Sequence, residues 1–206
     1  MSEQTDHYFT AEPASAAERR QLRVFLADRE LIVQTAPGVF CPDRVDMGTA
    51  VLLRAAPKPP VDGNLLDLGC GWGPIALTLG LLSPAASIWA VDVNQRALGL
   101  ARENAQALGI EDFHAATPEE VPAEIRFATI WSNPPIRVGK DSLHDMLLTW
   151  LPLLEVGGTA YLVVQKNLGA DSLQRWLQDH LDPGELAVDR YATAKGFRLL
   201  SVHRTP

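Results

Sequence analysis

The chain has 206 residues, of which 47% are hydrophobic and 21% charged, a composition typical of one globular domain and not of a disordered segment. Its formal net charge of -7 excludes a broadly basic protein that coats nucleic acid, although a local basic patch is enough for contact with RNA. No apolar run is long enough to span a bilayer, and the N-terminus lacks the basic and apolar regions of a secretory signal. The two cysteines, Cys41 and Cys70, show no metal-type spacing, so we expect a reduced cytoplasmic protein without a bound metal.

The first part of the chain predicts a short N-terminal α/β segment. A helix is expected over residues 15–29, because Ser15 and Glu18 have the spacing of a capping box and the apolar residues that follow fall on one helical face. The elements expected next are strand-like pieces over residues 30–36 and 38–40 and a helix over residues 45–56. The stretch AAPKPPVDGN is the only plausible boundary, so we predict an N-terminal entry segment, residues 1–60, packed on a core of residues 61–206 in one structural unit.

Strands and helices alternate through the rest of the chain. The predicted strands cover residues 64–69, 87–93, 112–116, 127–132 and 159–165. The predicted helices cover residues 73–83, 94–109, 141–155 and 171–181, and a hairpin of residues 186–193 and 196–204 closes the chain. This alternation of apolar strands and helices predicts an α/β fold. We expect a Rossmann-like, seven-stranded sheet that is mostly parallel, covered on both faces, with an antiparallel C-terminal hairpin.

A glycine-rich loop, DLGCGWG (residues 67–73), follows the first core strand and opens a helix. Its G-x-G-x-G spacing differs from the dinucleotide fingerprint, and it lacks the Lys-Ser/Thr of a phosphate loop. A carboxylate at Asp67 would repel a pyrophosphate and suits a cationic or hydroxyl-bearing ligand instead. The second core strand ends at Asp92, which we expect to accept hydrogen bonds from ribose hydroxyls, because Asn94 already supplies the cap of the next helix.

The segments LLDLGCGWGPIAL and VDVN resemble the first two cofactor motifs of class I S-adenosylmethionine-dependent methyltransferases. The resemblance implies that the glycine loop passes the methionine part of S-adenosylmethionine and that Asp92 holds its ribose. Thr117 or a backbone group would take the place of an adenine contact. Asp46, Gly48 and Thr49 either close over the methionine end or form a helix cap. The predicted cofactor-binding residues are Thr49, Asp67, Gly69, Cys70, Gly71, Gly73, Asp92, Val93, Thr117 and Asn133.

The stretch SNPPI, at the end of the strand over residues 127–132, is a candidate catalytic loop. A planar amino group is a poor nucleophile because its lone pair is delocalised. The side-chain oxygen of Asn133 and the carbonyl of Pro134, held stiff by Pro135, would both accept from such an NH2 group and orient its lone pair. The alternative is a structural Asn-Pro turn. The stretch resembles the [N/D]-P-P-[Y/F/I] motif of amino-group methyltransferases, with Ile136 where many members carry an aromatic residue.

The N-terminal segment and the closing hairpin are similar to those of the small-domain rRNA guanine-N2 methyltransferases of the RsmC and RlmG type. This resemblance implies a ribosomal RNA or a ribosomal subunit as the partner. Arg137 and Lys140 are expected to meet a phosphate, and Asp46 is a further candidate substrate contact. A protein glutamine amide, a small-molecule amine and a non-catalytic RNA-binding role stay open as alternatives.

Overall fold

A computed structural model describes residues 18–136 and 139–206 of the chain. Over these residues the first elements are strand β1 (Arg20–Leu26), strand β2 (Arg29–Thr35) and helix α1 (Met47–Ala55). The elements that follow are β3 (Asn64–Leu68), α2 (Pro74–Leu82), β4 (Ser87–Val91), α3 (Gln95–Ala107), β5 (Phe113–Ala116), β6 (Phe127–Ser132), α4 (Lys140–Trp150), β7 (Leu154–Gln165), α5 (Ala170–His180), β8 (Leu186–Ala194) and β9 (Phe197–Arg204).

Strands β3 to β9 form one seven-stranded sheet in the order β5-β4-β3-β6-β7-β9-β8. The first five of these strands in chain order are parallel, β9 runs antiparallel to β7, and β8 runs antiparallel to β9. The predicted α/β sheet with a C-terminal antiparallel hairpin is therefore confirmed. The chain continues from β3 to β4 and β5 on one side of β3, and then crosses to β6 and β7 on its other side. Sheets of this kind bind ligands in the crevice at such a change of direction, which the carboxyl ends of β3, β4 and β6 border.

Both faces of the sheet are covered, as near-continuous apolar strands require. Successive residues of β3 point to opposite faces: Leu65 packs into the cluster shared with α1, α2 and α3, and Leu66 into the cluster shared with α4 and α5. Both leucines are fully buried, and each such side chain contributes about 1.5–3 kcal/mol on removal from water. The middle of the sheet is therefore a rigid support for the loops at its edge.

The helix predicted over residues 15–29 is wrong in the part that the structure describes. Residues 20–35 form an antiparallel hairpin of β1 and β2, and residues 15–17 lie outside the described range. The residues Leu22, Val24 and Leu26 alternate with exposed side chains, and the large side chain of Phe25 is 67% exposed. These apolar residues fit the spacing of a helix as well as the alternation of a strand, and in the structure the alternation decides.

The strand-like piece predicted over residues 38–40 is also wrong, because this segment is a turn. Side chains of the core satisfy its backbone in place of a neighbouring strand. The Asn94 amide donates to the carbonyl of Gly38 at 2.8 Å, and the Trp72 indole donates to the carbonyl of Cys41 at 3.2 Å. These bonds hold the turn over the glycine loop.

The helix predicted over residues 141–155 ends earlier than expected, and the strand after it begins earlier. Helix α4 ends at Trp150, and a short 3-10 helix containing Pro152 leads into β7 at Leu154. Strand β7 therefore runs through Gly157 and Gly158, which do not stop a helix. A Cβ on Gly158 would lie 2.9 Å from the carbonyl oxygen of Glu155, so this bulged part of the strand requires a glycine.

Asn104 attaches the hairpin to the core. This α3 side chain is 2% exposed, accepts a hydrogen bond from the backbone N–H of Gln34 at 2.7 Å and donates to the carbonyl of Gln34 at 3.0 Å. Its amide also donates to the carbonyl of Trp72 at 3.2 Å. The side chain thereby pairs with β2 as a neighbouring strand would, and joins it to the glycine loop.

Replacing Asn104 should destabilise the protein without touching the cleft. Asn104→Ala leaves two backbone groups of Gln34 and one of Trp72 without their partner, which we expect to cost about 2–4 kcal/mol. Gln106→Ala, on the exposed face of α3, is the matched control and should stay within about 0.5 kcal/mol of wild type. Urea unfolding measures both, and equal midpoints for the two variants would contradict the assignment.

Candidate active site

A cleft of about 990 Å³ opens at the carboxyl ends of β3, β4 and β6. The glycine loop, the ends of these strands, the turn around Phe40, helix α4 and the start of β9 all contribute to its walls. The three sequence motifs, which are far apart in the chain, therefore meet at one edge of the sheet. This placement is the one expected for a ligand site in a doubly wound sheet.

The glycine loop is held against β4 by its own backbone. The N–H groups of Gly69 and Cys70 both donate to the carbonyl of Val91, at 2.8 and 3.0 Å. Gly69 has a φ of 80°, and the place of its missing Cβ is open space beside the cleft, so a ligand can approach the backbone there. Gly73 has a different role, because a Cβ on it would lie 3.2 Å from the Cβ of Ala101 where α2 packs on α3.

Asp67 is fully buried at the end of β3, and its two carboxylate oxygens differ in their surroundings. Oδ2 accepts from the backbone N–H of Ala76 at 2.9 Å, whereas Oδ1 has no hydrogen-bond partner among the described residues. Burial raises the pKa of Asp67 to about 8, and the nearby charge of Asp92 adds to this shift against the opposing effect of the Ala76 bond. A buried acceptor without a partner beside the glycine loop fits a cationic ligand.

Asp92 fixes the glycine loop and faces the cleft. Its Oδ2 accepts from the N–H of Gly71 and its Oδ1 from the N–H of Asn94, both at 2.9 Å, while burial raises its pKa. Asn94 caps α3, as predicted, by accepting from Arg96 and Ala97. Because each carboxylate oxygen has a second lone pair, Asp92 retains acceptor capacity for ribose hydroxyls.

Asn133 lies at the end of β6, and its amide orientation is set by Asp46. The Nδ2 group donates to Oδ2 of Asp46 at 2.8 Å and to the hydroxyl of Thr49 at 3.1 Å. A carboxylate only accepts hydrogen bonds, so the NH2 group has to face Asp46 and the amide oxygen of Asn133 has to point the other way. The same Oδ2 atom accepts from the N–H of Gly48 at 2.7 Å and caps α1.

The rest of the candidate loop keeps the geometry that its prolines impose. The carbonyl of Pro134 accepts from the N–H of Ile136 at 2.9 Å, which uses one of its two lone pairs. Pro135 and Ile136 line the cleft, and Ile136 also packs against the apolar cluster below α4. The proposed role of the Pro134 carbonyl as an acceptor stays a prediction.

The remaining predicted residues occupy different positions around the cleft. Cys70 is buried and its thiol donates to the carbonyl of Gly71, whereas Val93 is 45% exposed on the cleft wall. Thr117 caps a short 3-10 helix together with Glu120, and its neighbour Pro118 lines the cleft. Their cofactor contacts stay predictions. Lys140 is exposed at the first turn of α4, and Arg137 lies outside the described residues.

Sequence reasoning missed a group of cleft residues on α4, at and just after the end of β7, and at the start of β9. The members that bear on function are Asp145, Gln165, Leu168 and Phe197. The chain offers no local signal for them, since each belongs to an ordinary helix or strand pattern. Their place in the cleft follows only from the strand order. The described residues contain no cluster of three or more histidine, cysteine or acidic side chains suited to a metal, and no helix long and apolar enough to cross a membrane.

The sequence model of the family described as "Methyltransferase small domain" matches residues 30–201. The chain belongs to this family. The predicted class, an S-adenosylmethionine-dependent methyltransferase of class I, is thereby confirmed, and S-adenosylmethionine is its cofactor. When bound, this cofactor supplies an activated methyl group on a positively charged sulfur. A contact between this cation and the unpartnered oxygen of Asp67 stays a prediction.

Similar proteins fall into two lengths. The chain is 32% identical over 181 residues to the uncharacterized protein YbxB of Bacillus subtilis, and this alignment covers 86% of this chain and 90% of that protein. It is 36% identical over 185 residues to ribosomal RNA small subunit methyltransferase C of Ectopseudomonas mendocina, and this alignment covers 87% of this chain and 53% of that protein. The chain therefore spans about half the length of this second relative.

A solved structure has the same fold. The 16S rRNA N2 G1207 methyltransferase RsmC of T. thermophilus, in complex with AdoMet and guanosine, aligns with a TM-score of 0.75 at 22% identity. The alignment covers 92% of this chain and 51% of that one. At this identity the likeness shows the fold alone.

The buried carboxyl of Asp67 should make cofactor binding pH-dependent. With a pKa of about 8, it is protonated near neutral pH, and a cation at Oδ1 favours the ionised form, so binding should release a proton. We expect affinity for S-adenosylmethionine to rise by up to about tenfold per pH unit below pH 8 and then to level off. Titration calorimetry in two buffers of different ionisation enthalpy measures the released proton.

Asp67→Asn is the control for this linkage, because an amide keeps the bond from Ala76 but cannot titrate. The variant should show the same heat in both buffers and no rise in affinity through this pH range. Buffer-independent heats for the wild type would contradict the role of Asp67.

Proposed function

We propose that the chain methylates the exocyclic N2 amine of a guanine in ribosomal RNA. The orientation of the Asn133 amide carries this proposal. With its NH2 group engaged by Asp46 and Thr49, Asn133 keeps its oxygen as an acceptor at the floor of the cleft. A substrate that donates a hydrogen bond from the reacting nitrogen fits such a site, and an exocyclic amine does so.

The main contribution of the protein to methyl transfer is to position the substrate amine. An amine hydrogen bonded to the Asn133 oxygen has its nitrogen lone pair turned away from the base plane, toward the place of the methyl group. The nitrogen–carbon bond forms as the carbon–sulfur bond breaks. The proton that the nitrogen then loses passes to water, because an amide oxygen cannot retain it. The rate enhancement therefore comes mainly from alignment and proximity.

One relative supports RNA as the substrate, and one protein of the same fold supports guanine over other amines. The methyltransferase of E. mendocina is named for the small-subunit ribosomal RNA, and the T. thermophilus enzyme is named for N2 of a 16S rRNA guanine and was solved with guanosine. The chain corresponds to about half of each of these proteins. Within this chain, we propose the surfaces around the cleft for contact with RNA.

An exchange of the two interacting side chains tests the mechanism. Asn133→Ala should reduce single-turnover methyl transfer about hundredfold or more at saturating cofactor, because the acceptor is lost. Asn133→Asp places a second carboxylate against Oδ2 of Asp46, where like charges destabilise each other, and should also be impaired. The double variant Asn133→Asp with Asp46→Asn removes the like charges, but the atom of residue 46 that meets both the N–H of Gly48 and residue 133 can then serve only one of them, so we expect partial recovery of the lost rate.

Cofactor affinity is measured beside the rate, because Asn133 is also a predicted cofactor contact, whereas Asp67 and Asp92 are unchanged in all of these variants. Calorimetry should give dissociation constants within a few-fold of wild type. A wild-type transfer rate in Asn133→Ala would show that the loop is only a turn.

The substrate is tested with radiolabelled cofactor and three forms of RNA. The negative charge of the protein predicts weak, salt-sensitive binding to free RNA, so a structured or assembled substrate should be preferred. We expect different rates on naked rRNA, on ribosomal subunits and on short oligonucleotides, with N2-methylguanosine identified by nucleoside mass spectrometry. Label on a protein glutamine, or on another nucleoside, would exclude the proposed target.

A further inference from the structure

We propose that the end of β7 and the β8–β9 turn form the wall of the cleft that holds the target nucleotide. In this assignment Phe197 stacks on the base, and Lys166 and Lys195 contact the phosphates beside it. The inference rests on the proposed function, because it takes the substrate to be a nucleotide in an RNA strand. It adds a base-holding residue and a phosphate-binding surface outside the Asn-Pro-Pro loop.

Phe197 lies next to the candidate catalytic amide. A Cβ placed on Gly48 would be 3.1 Å from Cε1 of Phe197 and 3.2 Å from Nδ2 of Asn133, so the ring and the amide approach the same point from two sides. The side chain is half-buried, packs on the apolar cluster beneath it and lines the cleft. A flat aromatic surface at this distance from the amide is placed to support a flat ring whose amine reaches Asn133.

In this assignment Phe197 takes the role of the aromatic residue that is missing from the Asn-Pro-Pro loop. Ile136 stands where many amino-group methyltransferases carry an aromatic side chain, and it packs into the core below α4. In the sheet Phe197 pairs with Gln165, and both residues line the cleft. Stacking of a base on an aromatic side chain tolerates any orientation of the ring edge, so the hydrogen bonds to Asn133 remain free to choose the reacting amine.

Three lysines of this acidic chain, Lys140, Lys166 and Lys195, lie within two positions of a residue that lines the cleft. The sequence holds four lysines. Lys166 directly follows Gln165, Lys195 directly precedes Gly196 and Phe197, and Lys140 begins α4. The backbone N–H of Lys166 donates to the carbonyl of Gly196 at 2.8 Å, which brings the first two segments together. The fourth, Lys58, precedes β3 and lies at the opposite end of the sheet.

Unlike the arginines nearby, these lysines form no hydrogen-bonded ion pair with a carboxylate among the described residues. Arg190 and Arg198 both bind Asp171, whereas the described residues show no ion pair or side-chain hydrogen bond for any lysine. Lys166 contributes weakly to lowering the pKa of Asp171, a carboxylate that the two arginines already neutralise. Both Lys166 and Lys195 are exposed. Unpaired cations on the rim of a cleft in a protein of net charge -7 are suited to phosphate contact.

The stacking role is tested by kinetics on the ribosomal RNA substrate. Phe197→Leu keeps an apolar side chain but removes the ring, and should lower kcat/KM about tenfold to hundredfold, mainly through KM. Phe197→Tyr retains the ring and should stay within a few-fold of wild type. Phe113→Leu, the same change at the amino end of β5 and outside the cleft, is the matched control and should leave kcat/KM unchanged.

The phosphate role is tested by salt dependence. The double variant Lys166→Gln with Lys195→Gln should weaken RNA binding and reduce the slope of log affinity against log salt by about 1.4, as expected for two single-stranded phosphates. Lys58→Gln removes one positive charge at the far end of the sheet and should leave the slope unchanged. Affinity for S-adenosylmethionine should stay at the wild-type value in all of these variants.

Two patterns of failure are distinguishable. If the wild type transfers no methyl group to any ribosomal RNA, the proposed function fails and this inference fails with it. If the wild type is active but Phe197→Leu keeps the wild-type KM, or the lysine variant keeps the wild-type salt slope, the proposed function stands and the nucleotide-holding wall is overturned. Loss of activity in Phe197→Tyr equal to that in Phe197→Leu would assign the ring to packing and also overturn the stacking role.

Discussion

The hydrogen bond between Asn133 and Asp46 is the interaction on which the candidate site depends. It joins two residues that are 87 positions apart, one at the end of a central strand and one in front of α1. The carboxylate fixes which end of the Asn133 amide faces the cleft, and that choice decides whether the site presents an acceptor or a donor. Gly48 makes the approach possible, because a side chain there would meet Asp46, Asn133 and Phe197 at once.

Around this bond, the N-terminal segment and the core form one site. The turn after β2 is tied to Asn94 and Trp72, and the hairpin before it is tied to Asn104. Each of these side chains belongs to the core and satisfies backbone groups of the segment in front of it. The glycine loop and the Asn133 loop are therefore held on two sides, by the sheet and by the N-terminal segment. Such support is what keeps a site within the narrow geometry that methyl transfer by alignment needs.

The fold and the cofactor motifs were predictable because their signals are local. A buried strand, a glycine loop and a helix fall within a few tens of residues, and so do the second strand and Asp92. The hairpin of residues 20–35 was not, since Leu22 and Leu26 fit a helix as well as a strand and only Val24 and the exposure of Phe25 separate the two. Asp46 as the partner of Asn133 and Phe197 as a cleft residue depend on which strands become neighbours, and neither carries a local pattern. The end of α4 was missed because a pair of glycines marked a bulged strand in place of a helix stop.

The double use of Asp46 has a consequence for how the enzyme loses activity. One carboxylate oxygen holds the first turn of α1 and the Asn133 amide together, and ends of helices open more readily than the sheet beneath them. When the first turn of α1 frays, Asn133 is free to rotate and its oxygen no longer points into the cleft, while the seven-stranded sheet is still intact. We therefore expect inactivation by heat or denaturant to begin as a local opening before global unfolding, and to be reversible as long as the sheet survives.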